Sequence, residues 1–363
     1  MIHVYVGTKA QFIKMAPVMH ELDSRGLEYN FIDAGQHSGL TPELVREFGL
    51  KSPDVILRQG RQSIVSLMGA VLWSIQSLGQ LLFNGKKTYE RVFRGQAGIC
   101  LIHGDTLTTL LSLVYAKRYG IRVAHVEAGL RSYSLRSPFP EELIRIVAMR
   151  YSDVLFAPSD WALENLRKMG YAGKAANAGA NTIVDTLRFA LQHGQAQERP
   201  DKPYVVATIH RFETILSRSR LMAVVALLER VARDRLVLFV LHDPTRRQLR
   251  ALGLEQKLGR HNSIILMPLH PYPVFINLIA GADFVVTDGG SVQEETYFLN
   301  IPCLIMRSKT ERIEGVGENA CIAGFDPATV ESFIGGLQRH KRFTGDASAH
   351  PSRTIVDHVM PWA

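Results

Sequence analysis

The stretch from His103 to Arg145, HGDTLTTLLSLVYAKRYGIRVAHVEAGLRSYSLRSPFPEELIR, decides how the chain is read. Two apolar runs, Gly98 to His103 and Arg122 to His125, read as strands, and each delivers an acid at its carboxyl end. Asp105 follows the first and Glu127 the second, while Glu141 and Glu142 open a helix behind Pro138 and Pro140. In an open parallel sheet the ligand crevice lies outside the carboxyl ends of the strands. Acids delivered there, with Arg131 and Arg145 beside them, point to a reaction centre. The competing reading is that each acid only caps a helix or answers an arginine; repetition at successive strand ends weighs against it.

Working outward, Ile2 to Val6 reads as a strand ending in Gly7–Thr8–Lys9, with a helix expected from Gln11 to Arg25. Strands follow at Tyr29 to Ala34 and Asp54 to Leu57, with a short helix at Thr41 to Glu47 between them. Ser63 to Lys86 reads as a long helix. Its core, Ser63 to Phe83, has no charge and is long enough to cross a bilayer. Its serines, glutamines and glycines favour a buried or partner-facing helix, so no membrane span is expected. After a strand at Val154 to Ala157 come helices at Asp160 to Met169 and Asn181 to Gln192. The polar stretch Gly194 to Lys202 then reads as a linker. Beyond it the rhythm restarts, with strands at 204–209, 236–241, 263–267, 284–287 and 303–306 and helices near 217–233, 244–252, 271–280 and 290–299. Alternation on both sides of one linker implies an α/β chain of two Rossmann-type parallel-sheet domains facing a central cleft. They are placed at 1–193, carrying the acids, and 203–344, with the tail 345–363 able to pack back on the first.

At 363 residues the chain exceeds what one core supports. A net charge of +8 is spread, with no basic block longer than pairs such as Arg246–Arg247. That suits steering of a small anion into a cleft, and no nucleic-acid partner is expected. Cys100, Cys303 and Cys321 are odd in number, and two lie in apolar runs, which suits reduced thiols in the cytoplasm. No metal-ligand spacing occurs, and the N-terminal sequence has no signal-peptide character.

The second half brings complementary groups. His210 ends its first strand, His242 its second, and Asp288–Gly289–Gly290–Ser291 its fourth, leading into a helix with Gln293, Glu294 and Glu295. A glycine turn feeding a helix N-terminus offers N–H groups and a positive dipole end to a phosphate. Glu294 or Glu295 is placed to accept from a ribose diol, and Arg312 in the loop after the fifth strand to reach a diphosphate. Gly315, Gly317 and Ala320 match a GxGxxA pattern without a strand immediately before them and are set aside. The residues alone thus read as an enzyme for a nucleotide-diphosphate-linked compound, using carboxylate and histidine acid/base chemistry.

The chain resembles the UDP-N-acetylglucosamine 2-epimerases over nearly its whole length. The resemblance rests on GTKAQFIKMAPV (7–18), GQH (35–37), HGDTLTT (103–109), HVEAGLR (125–131), SPFPEELIR (137–145), APS (157–159), HRFE (210–213), TDGGSVQEE (287–295) and MRSKTERIE (306–314), in order and spacing. It implies a GT-B-like arrangement, a homodimer, no cofactor or metal, and interconversion of UDP-GlcNAc and UDP-ManNAc. UDP would leave by anti elimination, giving a 2-acetamidoglucal, and then return. Asp105, Glu127 and Glu141 match the family's catalytic acids and His210 its catalytic histidine. Lys9, Lys14, Arg145, His242, Gly290, Ser291 and Arg312 match positions contacting the diphosphate and sugar. Phe275 matches a residue against the uracil, and Glu295 one that holds the ribose. Three departures stand out. GTKAQ replaces GTRPE, so Lys9 supplies a point charge in place of an arginine fork. DGGS replaces DSGG, and Ser38–Gly39 lacks a glutamine-like residue tied to activation by a second substrate. The QFIK segment is also similar to relatives acting on UDP-linked diacetamido uronic acids. The alternatives are therefore a modified UDP-HexNAc, a hydrolysing 2-epimerase, a GT-B glycosyltransferase, or a non-catalytic UDP-sugar binder.

Overall fold

The computed structural model describes residues 1–36, 39–58, 85–133, 140–194, 200–310, 312–341 and 348–363, with Gly69, Trp73 and Gly79 besides. Most of the long helix expected over Ser63 to Lys86 lies outside the described residues, as do His37 and Ser38 and the SPF of 137–139. The chain divides into two compact units, Met1–Thr186 with Ser348–Ala363, and Leu187–Ala347. The division falls inside the helix Ile183–His193, ahead of the polar 194–202 stretch.

The first unit is built on β1 (Ile2–Val6), β2 (Tyr29–Asp33), β3 (Val55–Ile56), β4 (Ile99–His103), β5 (Arg122–Val126), β6 (Val154–Ala157) and β7 (Ala175–Asn177). They form one parallel sheet in the order β3-β2-β1-β4-β5-β6-β7. β1, β2 and β4 are buried at every residue, as parallel strands covered on both faces must be. The order reverses between β1 and β4, so their carboxyl ends flank the switch point at which such sheets bind ligands.

The helix after β1, Lys9–Ser24, starts two residues earlier than the periodicity predicts, because Thr8 and Gln11 close a capping box. Pro17 sits inside it, so the carbonyl of Ile13 loses its usual donor. The Thr186 hydroxyl donates to that carbonyl at 3.0 Å, satisfying it from another helix. The C-terminal helix Pro351–Val359 belongs to this unit; Asp357 pairs with Arg25, and the Ser352 N–H donates to Asp185.

The second unit carries β8 (Tyr204–Thr208), β9 (Leu236–Val240), β10 (Ile264–Met267), β11 (Phe284–Thr287), β12 (Cys303–Ile305) and β13 (Ala320–Ile322). These too form one parallel sheet, in the order β10-β9-β8-β11-β12-β13, with its switch point between β8 and β11. Its core gathers Val205, Phe239, Phe284, Leu304 and Phe333 around the helix Arg218–Val231. β7, β13 and the helix Pro327–Gly335 escape the sequence reading. Each strand is three residues at a sheet edge, stabilised by its one neighbour more than by an apolar run of its own. The three cysteines are free thiols, with Cys100 and Cys303 buried. Among the described residues, no helix is long and apolar enough to cross a membrane.

Candidate active site

The first unit's site is assembled where β4 and β5 end. These strands are direct neighbours, His103 opposite Val126, so Asp105 and Glu127 emerge side by side from the sheet edge. Glu127 takes a left-handed backbone conformation, φ 68°, unusual for a residue with a Cβ. Gly129 follows at φ 87°; a Cβ there would lie 2.3 Å from the Ala162 carbonyl oxygen, so only glycine lets the chain turn this closely. The turn leaves Glu127 only 8% exposed. Its Oε2 accepts from Lys14 Nζ at 2.6 Å and Asn181 Nδ2 at 2.9 Å, and His103 Nε2 lies 3.2 Å away. A buried carboxylate needs this compensation, since desolvation of an unpaired charge costs several kcal/mol. His125, one strand position before Val126, bonds the Gly104 carbonyl through Nε2 at 2.7 Å. Burial pushes its imidazole down to about 4, so it stays neutral.

Asp105 is held by Arg145 Nη2. Arg145 in turn reaches Glu142 at 3.5 Å, and Glu142, fully buried, accepts from Arg131 Nε at 2.6 Å and the Ser132 N–H at 2.9 Å. Burial pulls the Glu142 carboxyl up, but the Ser132 and Arg131 bonds outweigh it and set it below its ordinary value. Glu141, one residue earlier, is partly exposed, with its Oε2 buried and unpartnered. A helix turns about 100° per residue, which separates the two acids: one anchors arginines, the other faces away from them.

Gln11 ties the switch point together. Its side-chain oxygen accepts from the Gly7 and Thr8 N–H groups, and its amide nitrogen donates to the His103 carbonyl and the Thr106 and Thr109 hydroxyls. In the GTKAQ departure, Gln11 stands where the related pattern has a glutamate; a carboxylate could make the first two contacts but not donate the last three.

In the second unit, β8 and β11 are neighbours, and their ends carry His210 and Asp288. Asp288 is fully buried and accepts from the His210 and Arg211 N–H groups at 3.0 and 3.1 Å. The His210 ring lies 4.7 Å from that of His242, at 33°, which brings together the two histidines expected at consecutive strand ends. Burial lowers the His210 pKa; Asp288 opposes this, while Arg211 and Arg307 add to it, so the ring is neutral near pH 7. The helix Gly290–Phe298 starts at Gly289 with no side-chain cap, its leading N–H groups beside His210. A Cβ at Gly289 would sit 2.6 Å from His210 Cε1. The change from DSGG to DGGS is therefore what permits this ring position.

The remaining candidates sit as follows. Gly290 is buried, Ser291 is exposed on the first helical turn, and Glu295 accepts from the Tyr272 hydroxyl at 3.1 Å. Phe275 is partly exposed on the helix Tyr272–Ala280. Arg312 pairs with buried Glu294 at 3.2 Å, so its charge is engaged by a carboxylate of its own unit. Gln293 holds that loop by donating to the Arg312 and Glu314 carbonyls and accepting from the Thr310 hydroxyl. Lys9 is partly exposed one residue past the Thr8 cap. Asn181, Gln11, Glu142 and His103 are site residues whose roles the sequence did not reveal. Among the described residues no cluster suited to a metal ion occurs.

Comparison with known proteins gives one consistent result. A family model described as UDP-N-acetylglucosamine 2-epimerase matches residues 20–350. A UDP-N-acetylglucosamine 2-epimerase of Methanococcus maripaludis is 29% identical over 355 residues, covering 94% of this chain and 92% of that protein. A UDP-2,3-diacetamido-2,3-dideoxy-D-glucuronate 2-epimerase of Pseudomonas aeruginosa is 29% identical over 338 residues, covering 90% and 89%. The crystal structure of the Methanocaldococcus jannaschii UDP-GlcNAc 2-epimerase, in complex with UDP-GlcNAc and UDP, superposes with a TM-score of 0.83 at 26% identity, covering 99% of both chains.

Proposed function

The chain belongs to the UDP-N-acetylglucosamine 2-epimerase family, and from that premise we propose that it is an isomerase interconverting UDP-GlcNAc and UDP-ManNAc at C2. The observation that carries this reading is Glu127, a buried carboxylate held by Lys14 and Asn181 at the carboxyl end of β5. A fixed, water-poor carboxylate is what abstraction of a weakly acidic C–H proton requires. One carboxylate takes the C2 proton as the C1–O bond breaks and UDP departs, giving 2-acetamidoglucal. A proton is then delivered to the opposite face of C2, and UDP adds back to C1. Asp105, Glu127 and Glu141 are the proton carriers of the reading, with Arg145 holding Asp105 in place. In the second unit the uncapped helix at Gly290, neutral His210 with His242, and Ser291 receive the diphosphate. Phe275 and Glu295 take the uracil and ribose, and Lys9 and Arg312 supply positive charge. The chain's own carboxylates and histidines carry each of these steps, in a cytoplasmic homodimer.

Incubation with UDP-GlcNAc in heavy water, followed by NMR, tests this. Deuterium at C2 with UDP-ManNAc appearing is the expected result; free ManNAc with UDP would mean a hydrolysing enzyme, and no exchange would overturn epimerisation of UDP-GlcNAc. Glu127→Gln should lose turnover while still binding UDP, and near-normal turnover would remove Glu127 from the chemistry. A second reading, a UDP-linked diacetamido uronate as substrate, is supported by the QFIK segment and by an identity to the Pseudomonas aeruginosa enzyme equal to that for the Methanococcus maripaludis enzyme. Comparing kcat/KM for the two sugars decides between them.

A further inference from the structure

Asn181 stands in the turn between β7 and the helix Ile183–His193, with 4% of its surface exposed. Its Oδ1 accepts the Ile183 N–H at 3.1 Å, satisfying one of the orphan donors at the helix start. Its Nδ2 donates to Glu127 Oε2 at 2.9 Å. These two bonds fix the amide's orientation, because reversing it would set a donor against the N–H and an acceptor against the carboxylate. Lys14 reaches the same Oε2, but a lysine is a point charge on a flexible stem and fixes no direction. Asn181 adds a planar donor braced by a helix.

Resting on the proposed 2-epimerase reading, we propose that Asn181 is a positioning residue for Glu127: it clamps one carboxylate oxygen, favours the ionised form, and couples the helix Ile183–His193 to the proton-abstracting group. Among the described residues, the titratable and charged groups around Glu127 include Lys14 from the first helix, His103 at the end of β4, and His125 on β5, which Asp105 also faces. None of these is altered by substitution at Asn181, so in a variant that adds no charge, such as Asn181→Ser, a change in the acid limb of the pH–rate profile reports the clamp.

Asn181→Asp should perturb Glu127 most. It keeps the acceptor for Ile183 N–H, removes the donor, and sets a second carboxyl beside Glu127, where like charges make one of the pair hold its proton to higher pH. In the full chain kcat should fall on the order of tenfold to a hundredfold. KM should stay within about threefold, because no substrate contact is removed, and the acid limb should move up by about one pH unit. Asn181→Ser, which keeps a helix-capping oxygen but is too short to reach Glu127, should lose kcat similarly with a smaller pH shift. Carbon-13 NMR titration of the Glu127 carboxyl without substrate, assigned by its loss in Glu127→Gln, should show the same upward displacement in Asn181→Asp and a smaller one in Asn181→Ser. A titration unmoved in Asn181→Ser, or wild-type kcat in both variants, overturns the inference. A wild-type chain inactive on UDP-GlcNAc would overturn the functional reading instead, and the titration would still decide the role of Asn181.

Discussion

Glu142→Gln tests whether the buried arginine network holds Asp105, the first of the proposed catalytic acids. Glu142 has no exposed surface and accepts from Arg131 Nε at 2.6 Å and the Ser132 N–H at 2.9 Å, with Arg145 at 3.5 Å. The amide keeps the volume and the Ser132 bond, but turns an NH2 group toward Arg131, leaving that guanidinium without its carboxylate and Arg145 with Asp105 alone. Loss of a charged hydrogen bond costs about 1.5–3 kcal/mol, and breaking a buried ion pair about 3–5 kcal/mol. Arg131 retains 15% side-chain exposure and can turn partly to water, so the lower end, about 3 kcal/mol, is expected. In a unit of about 200 residues, 1 kcal/mol moves Tm by about 2–4 °C, so the first unit should melt about 6–12 °C lower by scanning calorimetry. Arg145, released on one side, should hold Asp105 less firmly, and kcat should fall with it. The sign of the pH dependence is fixed too. The Glu142 carboxyl lies below its usual 4.5, so its contribution is present above that pH and is lost as pH falls through the folded value. The gap between wild type and variant should therefore close in acid. A Tm lowered by less than about 2 °C at pH 7 would refute the network's role.

Lys14→Met removes the cation from buried Glu127; kcat should fall at least about a hundredfold, with Tm lowered by several degrees, and near-normal turnover would exclude the pair from the chemistry. His125, neutral in the fold down to about 4, must gain a proton on unfolding below its ordinary 6.5, so stability is full above that pH and is lost as pH falls from 6.5 toward 4, by about 3 kcal/mol. His3 behaves in the same way, so His125→Gln should reduce, without abolishing, the difference between urea unfolding at pH 7.5 and 4.5; an unchanged difference would refute the assignment.

The sheets were readable because parallel strands buried on both faces leave uninterrupted apolar runs, and because acids and histidines end them at Asp105, Glu127, His210 and His242. What was hidden depends on partners distant in sequence. Gln11 looks like a helix-start residue until its bonds to His103, 92 positions away, and Thr109, 98 away, are seen. Asn181 follows an edge strand of sequence AAN that has no apolar signature, so nothing marked it as lying at the sheet's carboxyl end. Glu141 and Glu142 are the same residue type in adjacent positions; only the helix's rotation gives one to the arginines. Arg312, placed to reach a diphosphate, also pairs with Glu294, a partner that the sequence did not reveal.

The backbone at Glu127 explains why so much of this unit converges there. A left-handed conformation costs a residue with a Cβ roughly 1–2 kcal/mol, and β5 could have ended on glycine without that cost. Held outward in an ordinary extended continuation, the carboxylate would be solvated and mobile. Folded back by the turn through Gly129, it meets Lys14 from the helix after β1 and Asn181 from the turn after β7. Each hydrogen bond to a charged group contributes about 1.5–3 kcal/mol, so the two together outweigh the local strain. A strained acid that local backbone preference alone would replace with glycine is stable here because three segments of the sheet's carboxyl edge are organised around its charge.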